Sequence, residues 1–314
     1  MTSVVVRTVS GDLHPELLGA TDYHEHLFQV TPLLPRDELD DETASRTEAA
    51  SLRAAGARAM VEATPIGLGR RPSAVARIAS TTGLHVIHVT GAHRDAHYAP
   101  DHPLLDASTA ALTEQFRSEL VAGMAEEDGS PAHTPSGEPV RAGVLKGGVD
   151  YWRITRFEAR VLEAVGGVAA ETGAPVMVHL EHGSAAHEVL DALAGHGCPA
   201  ERVCLAHMDR NPDPRLMLEL TSRGALIGFD GPARHHRWPD SVLADCLADV
   251  VAGGGGGHVL LGGDVARRTR YHAYGGMPGL AYLFDRFVPR LRGSIGDEAL
   301  HRILVDNPAR WLAW

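Results

Sequence analysis

Short runs of β-branched and apolar residues recur along the chain, and most of them end on a polar residue. They cover residues 17–24, 58–62, 84–90, 141–146, 175–179, 202–207, 225–230 and 258–264. Near-continuous apolar runs of this kind suit parallel strands buried on both faces. Between them the periodicity changes to that of helices. Leu112, Phe116, Leu120 and Met124 form an i, i+4 stripe, with Asp106 or Ser108 as N-cap. A helix is predicted over 157–171, after Thr155 and before Gly173, and another over 214–223, before Gly224. Strands alternating with helices predict an α/β fold, a single (β/α)8 TIM barrel formed by one domain over residues 1–314. The strand count alone carries closure, and an open sheet is the alternative. Residues 126–139, polar and rich in Gly and Pro, read as a long surface loop. The five glycines at 253–257 read as a turn before the eighth strand, because no Lys-Ser/Thr follows to make a phosphate-binding loop.

Composition narrows the class. A prior of ~150 residues per domain would divide 314 residues in two, yet barrels of ~250 or more fold as one domain. The net charge of −11 argues against a general nucleic-acid binder. Three cysteines, Cys198, Cys204 and Cys246, match neither a zinc-knuckle spacing nor a disulfide framework and imply a reducing compartment. No apolar run reaches the ~20 residues of a membrane span, and the first residues lack a signal-peptide pattern. The expectation is a cytoplasmic protein without nucleic-acid or membrane partners, acting on a small molecule. Histidine stands out, at 19 residues.

A barrel carries its chemistry at the carboxyl ends of its strands. The polar residues that fall there are His24, His26, Lys146, His179, His207 and Asp264. His24 and His26 are two apart, so on a strand both imidazoles face one side, a good pair for a divalent metal. Asp264 ends an apolar strand, where an unpaired carboxylate would cost several kcal/mol. Lys146 poses the same problem with the opposite sign. Singly, each of these residues reads as readily as a structural group. Together, four histidines, one aspartate and one lysine on strand ends point to a metal site.

These residues carry a resemblance. Thr21-Asp22-Tyr23-His24-Glu25-His26-Leu27, Val144-Leu145-Lys146, Pro175-Val176-Met177-Val178-His179, Val203-Cys204-Leu205-Ala206-His207, Gly262-Gly263-Asp264 and Asn307-Pro308-Ala309-Arg310 follow in order over nearly the whole chain. They resemble the phosphotriesterase-like family of the amidohydrolase superfamily. The resemblance implies two divalent metals, usually zinc. It assigns His24, His26 and Asp264 to the buried ion and His179 and His207 to the exposed one. Lys146, carboxylated by carbon dioxide to a carbamate, would bridge the two, which removes its charge problem. It further implies that a metal-bridging hydroxide attacks an ester carbonyl or phosphoryl centre and that Asp264 takes the proton. A homodimer is common among such relatives.

Substrate class rests on the loops. Basic runs follow the seventh and eighth strands, at residues 231–238 and 265–271. Arg234, Arg267, Arg268 and Tyr271 there are expected to meet an anionic group. Stretches 207–212 and 263–268 resemble the branch that hydrolyses phosphorylated sugar lactones, so a furanose-lactone phosphate ranks first. Uncharged lactones, amides and organophosphate esters are the alternatives within the same metal site, and a ligand-binding barrel without turnover is the alternative outside it. After Thr90-Gly91 the chain has Ala92-His93 where many relatives carry an aromatic pair. Tyr98 is the remaining aromatic expected to touch substrate. His93 and His97 read as solvated, with polar contact to substrate as the alternative.

Overall fold

A computed structural model describes residues 4–234 and 238–314. Two short strands, Val6–Thr8 (β1) and Gly11–Leu13 (β2), pair as an antiparallel hairpin. Eight parallel strands follow: Thr21–Glu25 (β3), Ala59–Glu62 (β4), His85–Gly91 (β5), Val144–Val149 (β6), Val176–Leu180 (β7), Val203–Ala206 (β8), Leu226–Phe229 (β9) and Val259–Leu261 (β10). Each pairs with the next in sequence, in the order β10-β9-β8-β7-β6-β5-β4-β3. The sheet curls into a nearly closed barrel. Its seam is bridged by the amide of Asp264 donating to the carbonyl of His24 at 2.9 Å. The helices between strands are Glu42–Ala55 (α1), Pro72–Thr82 (α2), Thr109–Val121 (α3), Arg156–Thr172 (α4), Ala186–Gly195 (α5), Pro214–Ser222 (α6) and Asp240–Ala252 (α7); Val288–His301 (α8) and Asn307–Leu312 (α9) follow β10.

Side-chain alternation along the strands gives two cores. Tyr23, Val61, Ile87, Val89, Val144, Met177, Cys204 and Leu260 fill the barrel interior, where Trp311 of α9 packs with them. Leu145, Val178, Leu205, Ile227 and Leu261 point outward into the layer beneath the helices. The barrel reading of the sequence therefore holds. Two strand limits shift. Residues 15–17 form a 3-10 turn, so the first barrel strand begins only at Thr21. The last strand ends at Leu261, because the chain turns out of the ladder before Asp264, whose φ is 42°. Residues 126–139 form two small turns closed by the bridges Ala125–Pro131 and His133–Pro139, and the glycine run forms the turn from α7 to β10. The three cysteines are buried and unpaired. Among the described residues no helix is long and apolar enough to cross a membrane.

Candidate active site

All six polar residues expected at the strand ends are buried at one end of the barrel. His24, His26, His179, His207 and Asp264 line a small pocket of about 110 Å³. Lys146 lies beneath it, its Nζ 3.5 Å from His24 Nε2 and donating to the Ala63 carbonyl at 2.9 Å. Close backbone approach makes this possible. A Cβ on Gly91 would strike the Lys146 carbonyl, and one on Gly228 would overlap the Tyr23 hydroxyl.

A residue that the strand pattern offered and the sequence reading passed over organises the centre. Asp230 follows β9 and is fully buried. Its carboxylate takes the Tyr23 hydroxyl, His24 Nδ1 at 3.1 Å, His207 Nδ1 at 2.6 Å and the His207 amide at 3.2 Å. Asp209 in turn receives the amides of Asp230 and Gly231 at 3.0 and 2.7 Å. The signal was the one used for Asp264, an acidic residue ending an apolar run. Donor atoms of His24, His207, Asp230 and Asp264 lie within 4.8 Å of one another.

The partners fix the tautomers of the four imidazoles. His24 and His207 must carry a proton on Nδ1 to bond the Asp230 carboxylate. The Thr64 hydroxyl donates to the Phe28 carbonyl at 2.6 Å, so it can only accept from His26 Nδ1, at 2.7 Å. His179 Nε2 lies 2.9 Å from a Glu181 carboxylate oxygen and must donate there. Each ring's other nitrogen is then a lone pair. His207 Nε2 and His179 Nδ1 face each other at 2.7 Å with no proton left to share. His24 Nε2 and His26 Nε2 point towards Asp264, at 3.8 and 3.4 Å. Burial also holds all four histidines well below their ordinary range, so they are neutral near pH 7. Converging imidazole lone pairs beside a carboxylate, with outer nitrogens anchored on acceptors, are what a divalent metal requires. Burial lowers the Lys146 amine to about 7, which leaves a share of it neutral near neutrality, as reaction with carbon dioxide requires. The donor set therefore fits divalent metals, and the Lys146 amine fits the carboxylation, that the resemblance implies.

The residues expected to meet substrate divide. Arg234 and Arg267 line the metal pocket. Arg234 forms an ion pair with Asp264, and Arg267 lies 3.4 Å from Asp37. Tyr271 does not reach the pocket: it is fully buried, and its hydroxyl donates to the His26 carbonyl, bracing the metal loop. Tyr98 is also buried, its hydroxyl accepting from the His93 amide and donating to the Ile66 carbonyl. Arg268 turns outward, half exposed, against the Tyr274 ring and 3.9 Å from Asp40. In each case a local partner captures the polar group, which a sequence run cannot reveal. His235, His236 and Arg237 of the first basic run lie outside the described residues. His93 and His97, read as solvated, are buried, with rings 3.7 Å apart, and line the pocket beside His179. Arg94, Glu181 and Arg210 also line it, and Arg210 reaches Asp264 at 3.3 Å.

Known proteins place this arrangement. A phospho-furanose lactonase of Mycoplasmopsis synoviae is 32% identical, over 100% of this chain and 93% of its own. The N-acetyltaurine hydrolase of Homo sapiens is 26% identical over 98% of both chains. The crystal structure of the lactonase Lmo2620 from Listeria monocytogenes superposes with a TM-score of 0.87, at 31% identity over 98% of each chain. The family model for the phosphotriesterase family matches residues 4–312. With that span, and with the strand-end histidines and aspartate gathered in one pocket above Lys146, the chain belongs to the phosphotriesterase family.

Proposed function

We propose that the protein is a metal-dependent lactonase acting on the lactone of a sugar phosphate. The observation that carries the hydrolase reading is the convergence of four imidazole lone pairs, set by Asp230, Thr64 and Glu181, on a space beside Asp264 and Lys146. In this reading His24, His26 and Asp264 would hold one divalent ion, His179 and His207 would hold a second, Lys146 as a carbamate would add a further ligand, and the ions would be zinc. Bound there, they supply Lewis-acid activation of a carbonyl and of water.

The chain's own residues do the remaining work. Asp264 sits at the pocket floor, only 3% exposed, and is the base that receives the proton of the attacking water and returns it to the leaving oxygen. Arg210 and Arg234 hold its carboxylate in place by ion pairing. His93 accepts the Arg94 amide on Nδ1 at 2.8 Å, so its Nε2 carries the proton and can donate to a substrate oxygen. Arg267, at the pocket rim, favours an anionic substituent. The names of the relatives support a lactonase, and this basic rim supports a phosphorylated substrate.

The test is hydrolysis by metal-loaded protein of a furanose-lactone phosphate, its unphosphorylated counterpart, an N-acyl amide and a phosphotriester. The phosphorylated lactone is expected to have the highest kcat/KM. Lys146→Ala is expected to lose metal and turnover together. Arg267→Ala is expected to raise KM for the phosphorylated lactone about tenfold, as the loss of one charge-assisted bond implies, and to leave the neutral lactone unaffected. Preference for the amide would replace the lactonase reading. Equal effects of Arg267→Ala on both lactones would remove the phosphate.

A further inference from the structure

Next to the metal pocket the barrel mouth holds a second, larger cleft of about 740 Å³ that the hydrolytic chemistry does not use. This volume is within the range of ligand sites. Its walls come from Arg94 after β5, from the loops after β6, β7 and β8 with the first turns of α5 and α6, and from Trp238 after β9. Tyr151, Trp152 and Trp238 border it, 57%, 65% and 39% exposed. Among the described residues these are the only large aromatics that stand exposed, and all three surround one cavity. Exposed aromatic area that packs on nothing in its own chain marks a binding surface.

The backbone supports the same conclusion. Trp152, His182 and Ala185, all on the cleft wall, adopt left-handed φ values of 48°, 54° and 58°. Such conformations cost on the order of 1–3 kcal/mol each in a non-glycine residue and persist where surrounding bonds impose them. Here the Trp152 amide donates to Ser184 Oγ at 3.1 Å, and Ser184 Oγ donates to the Glu181 carbonyl at 2.7 Å. Arg94 fastens the preceding turn through Asp150 at 2.8 Å. The loops are tied so that the indole of Trp152 faces solvent at the cleft.

The lining also selects an occupant. The aromatic faces alternate with Asp150, His182, Glu188 and Asn211, all hydrogen-bonding groups. Arg94 and Arg210 are already engaged with Glu181, at 3.2 and 3.8 Å, so among the described residues no free cation lines the cleft for an anion. Charged groups interrupt the apolar surface, which disfavours an acyl chain. A ring with apolar faces and a hydroxylated edge satisfies both features, the faces on Tyr151 or Trp152 and the hydroxyls on the polar groups. Arg94, Glu181 and Arg210 line both cavities, so one molecule can occupy the two.

We propose that this cleft, bordered by Tyr151, Trp152 and Trp238 and sharing a wall with the metal pocket, is a subsite for a neutral glycosyl unit attached to the group being hydrolysed. The inference rests on the lactonase reading for its substrate and on the cleft alone for its binding. Two measurements separate them. Tryptophan fluorescence of chelator-treated protein, titrated with maltose or cellobiose, is expected to change saturably, and Trp152→Gly, which suits the left-handed backbone, is expected to weaken that binding about tenfold. In turnover, maltobionolactone is expected to exceed gluconolactone in kcat/KM by about tenfold. Trp152→Gly and Tyr151→Ala are expected to abolish that advantage while gluconolactone hydrolysis stays unchanged. Saturable sugar binding without hydrolysis of either lactone, in protein that also fails to hydrolyse the furanose-lactone phosphate, would support the subsite and remove the lactonase reading. Absence of a fluorescence change, with equal turnover of the two lactones, would overturn the subsite. So would a dimer that dissociates in Trp152→Gly without any sugar binding, which would assign the aromatic face to a second copy of the chain.

Discussion

At the residue scale, buried polar groups determine the character of this protein. Asp230 serves two imidazoles, a tyrosine and an amide, and so sets which nitrogen of His24 and His207 faces the centre. Asp230→Asn keeps the size but places an N–H where one imidazole must itself donate. Loss of such an anchoring partner typically costs 10–100-fold in metal affinity or activity, about that range being expected here. Titration against a competing chelator measures it, and an unchanged affinity would show that the tautomers are set elsewhere. A second buried group reports on stability. Burial lowers His88 to about 3 from an ordinary 6.5, with the Arg70 charge adding to the effect. Above pH 6.5 neither state is protonated there, and His88 contributes nothing. As the pH falls through 6.5 the unfolded chain binds a proton that the folded chain refuses until about 3, so stability is lost across that window. His88→Leu is expected to reduce the fall in unfolding free energy between pH 6 and 4 by about 1.4 kcal/mol per pH unit. Urea unfolding at three pH values tests this, and parallel curves would rule it out.

At the scale of the element, the caps are legible and explain where the helices start. Ser108 accepts from the Ala111 amide at 3.2 Å and begins α3, whereas Asp106, the other candidate, ends a 3-10 turn. Thr155 and Glu158 exchange bonds at 3.3 and 2.7 Å in a capping box that begins α4, and Gly173 ends that helix at a left-handed φ of 77°. Thr155→Ala removes one side of the box and is expected to lower stability by about 1 kcal/mol. Calorimetry would show it, and no change in Tm would mean that water replaces the hydroxyl. Caps and apolar periodicity are local properties, so the sequence reading placed α4 and α6 within a residue and found the Ser108 start of α3, although Met124 of the expected stripe lies three residues past the end of that helix. The six strand-end residues were legible for a similar reason, five as the polar terminus of an apolar run and His26 by its two-residue spacing from His24. Tyr98, Tyr271 and Arg268 were not, because their orientation depends on the Ile66 carbonyl, the His26 carbonyl and Asp40, which are remote in sequence. The burial of His93 and His97 likewise follows from packing across the pocket on His179.

For the whole molecule, the weakest point of the barrel coincides with its chemistry. β3 and β10 meet without a regular ladder. They are joined by the Asp264 amide on the His24 carbonyl, the Gly263 amide on Asp22 at 3.3 Å and the Val265 amide on Glu25 at 3.0 Å. His24, His26 and Asp264 stand on the two sides of that seam, and Lys146, His179 and His207 come from β6, β7 and the end of β8. A cation held by these residues ties strands that backbone bonding alone joins loosely, and the unfolded chain offers no such convergence. Binding to the folded state alone stabilises by RT ln(1 + [M]/Kd), about 2.7 kcal/mol at a hundredfold excess over Kd. Chelator-treated protein is therefore expected to melt several degrees lower than protein reloaded with Zn²⁺, with the gap widening as free metal rises. The same scan on Asp264→Ala and His207→Ala should show that dependence reduced, because each variant removes a ligand from one of the two proposed ions. A Tm that ignores metal concentration in the parent protein would mean that the seam is closed by its own hydrogen bonds and that the pocket holds no structural cation.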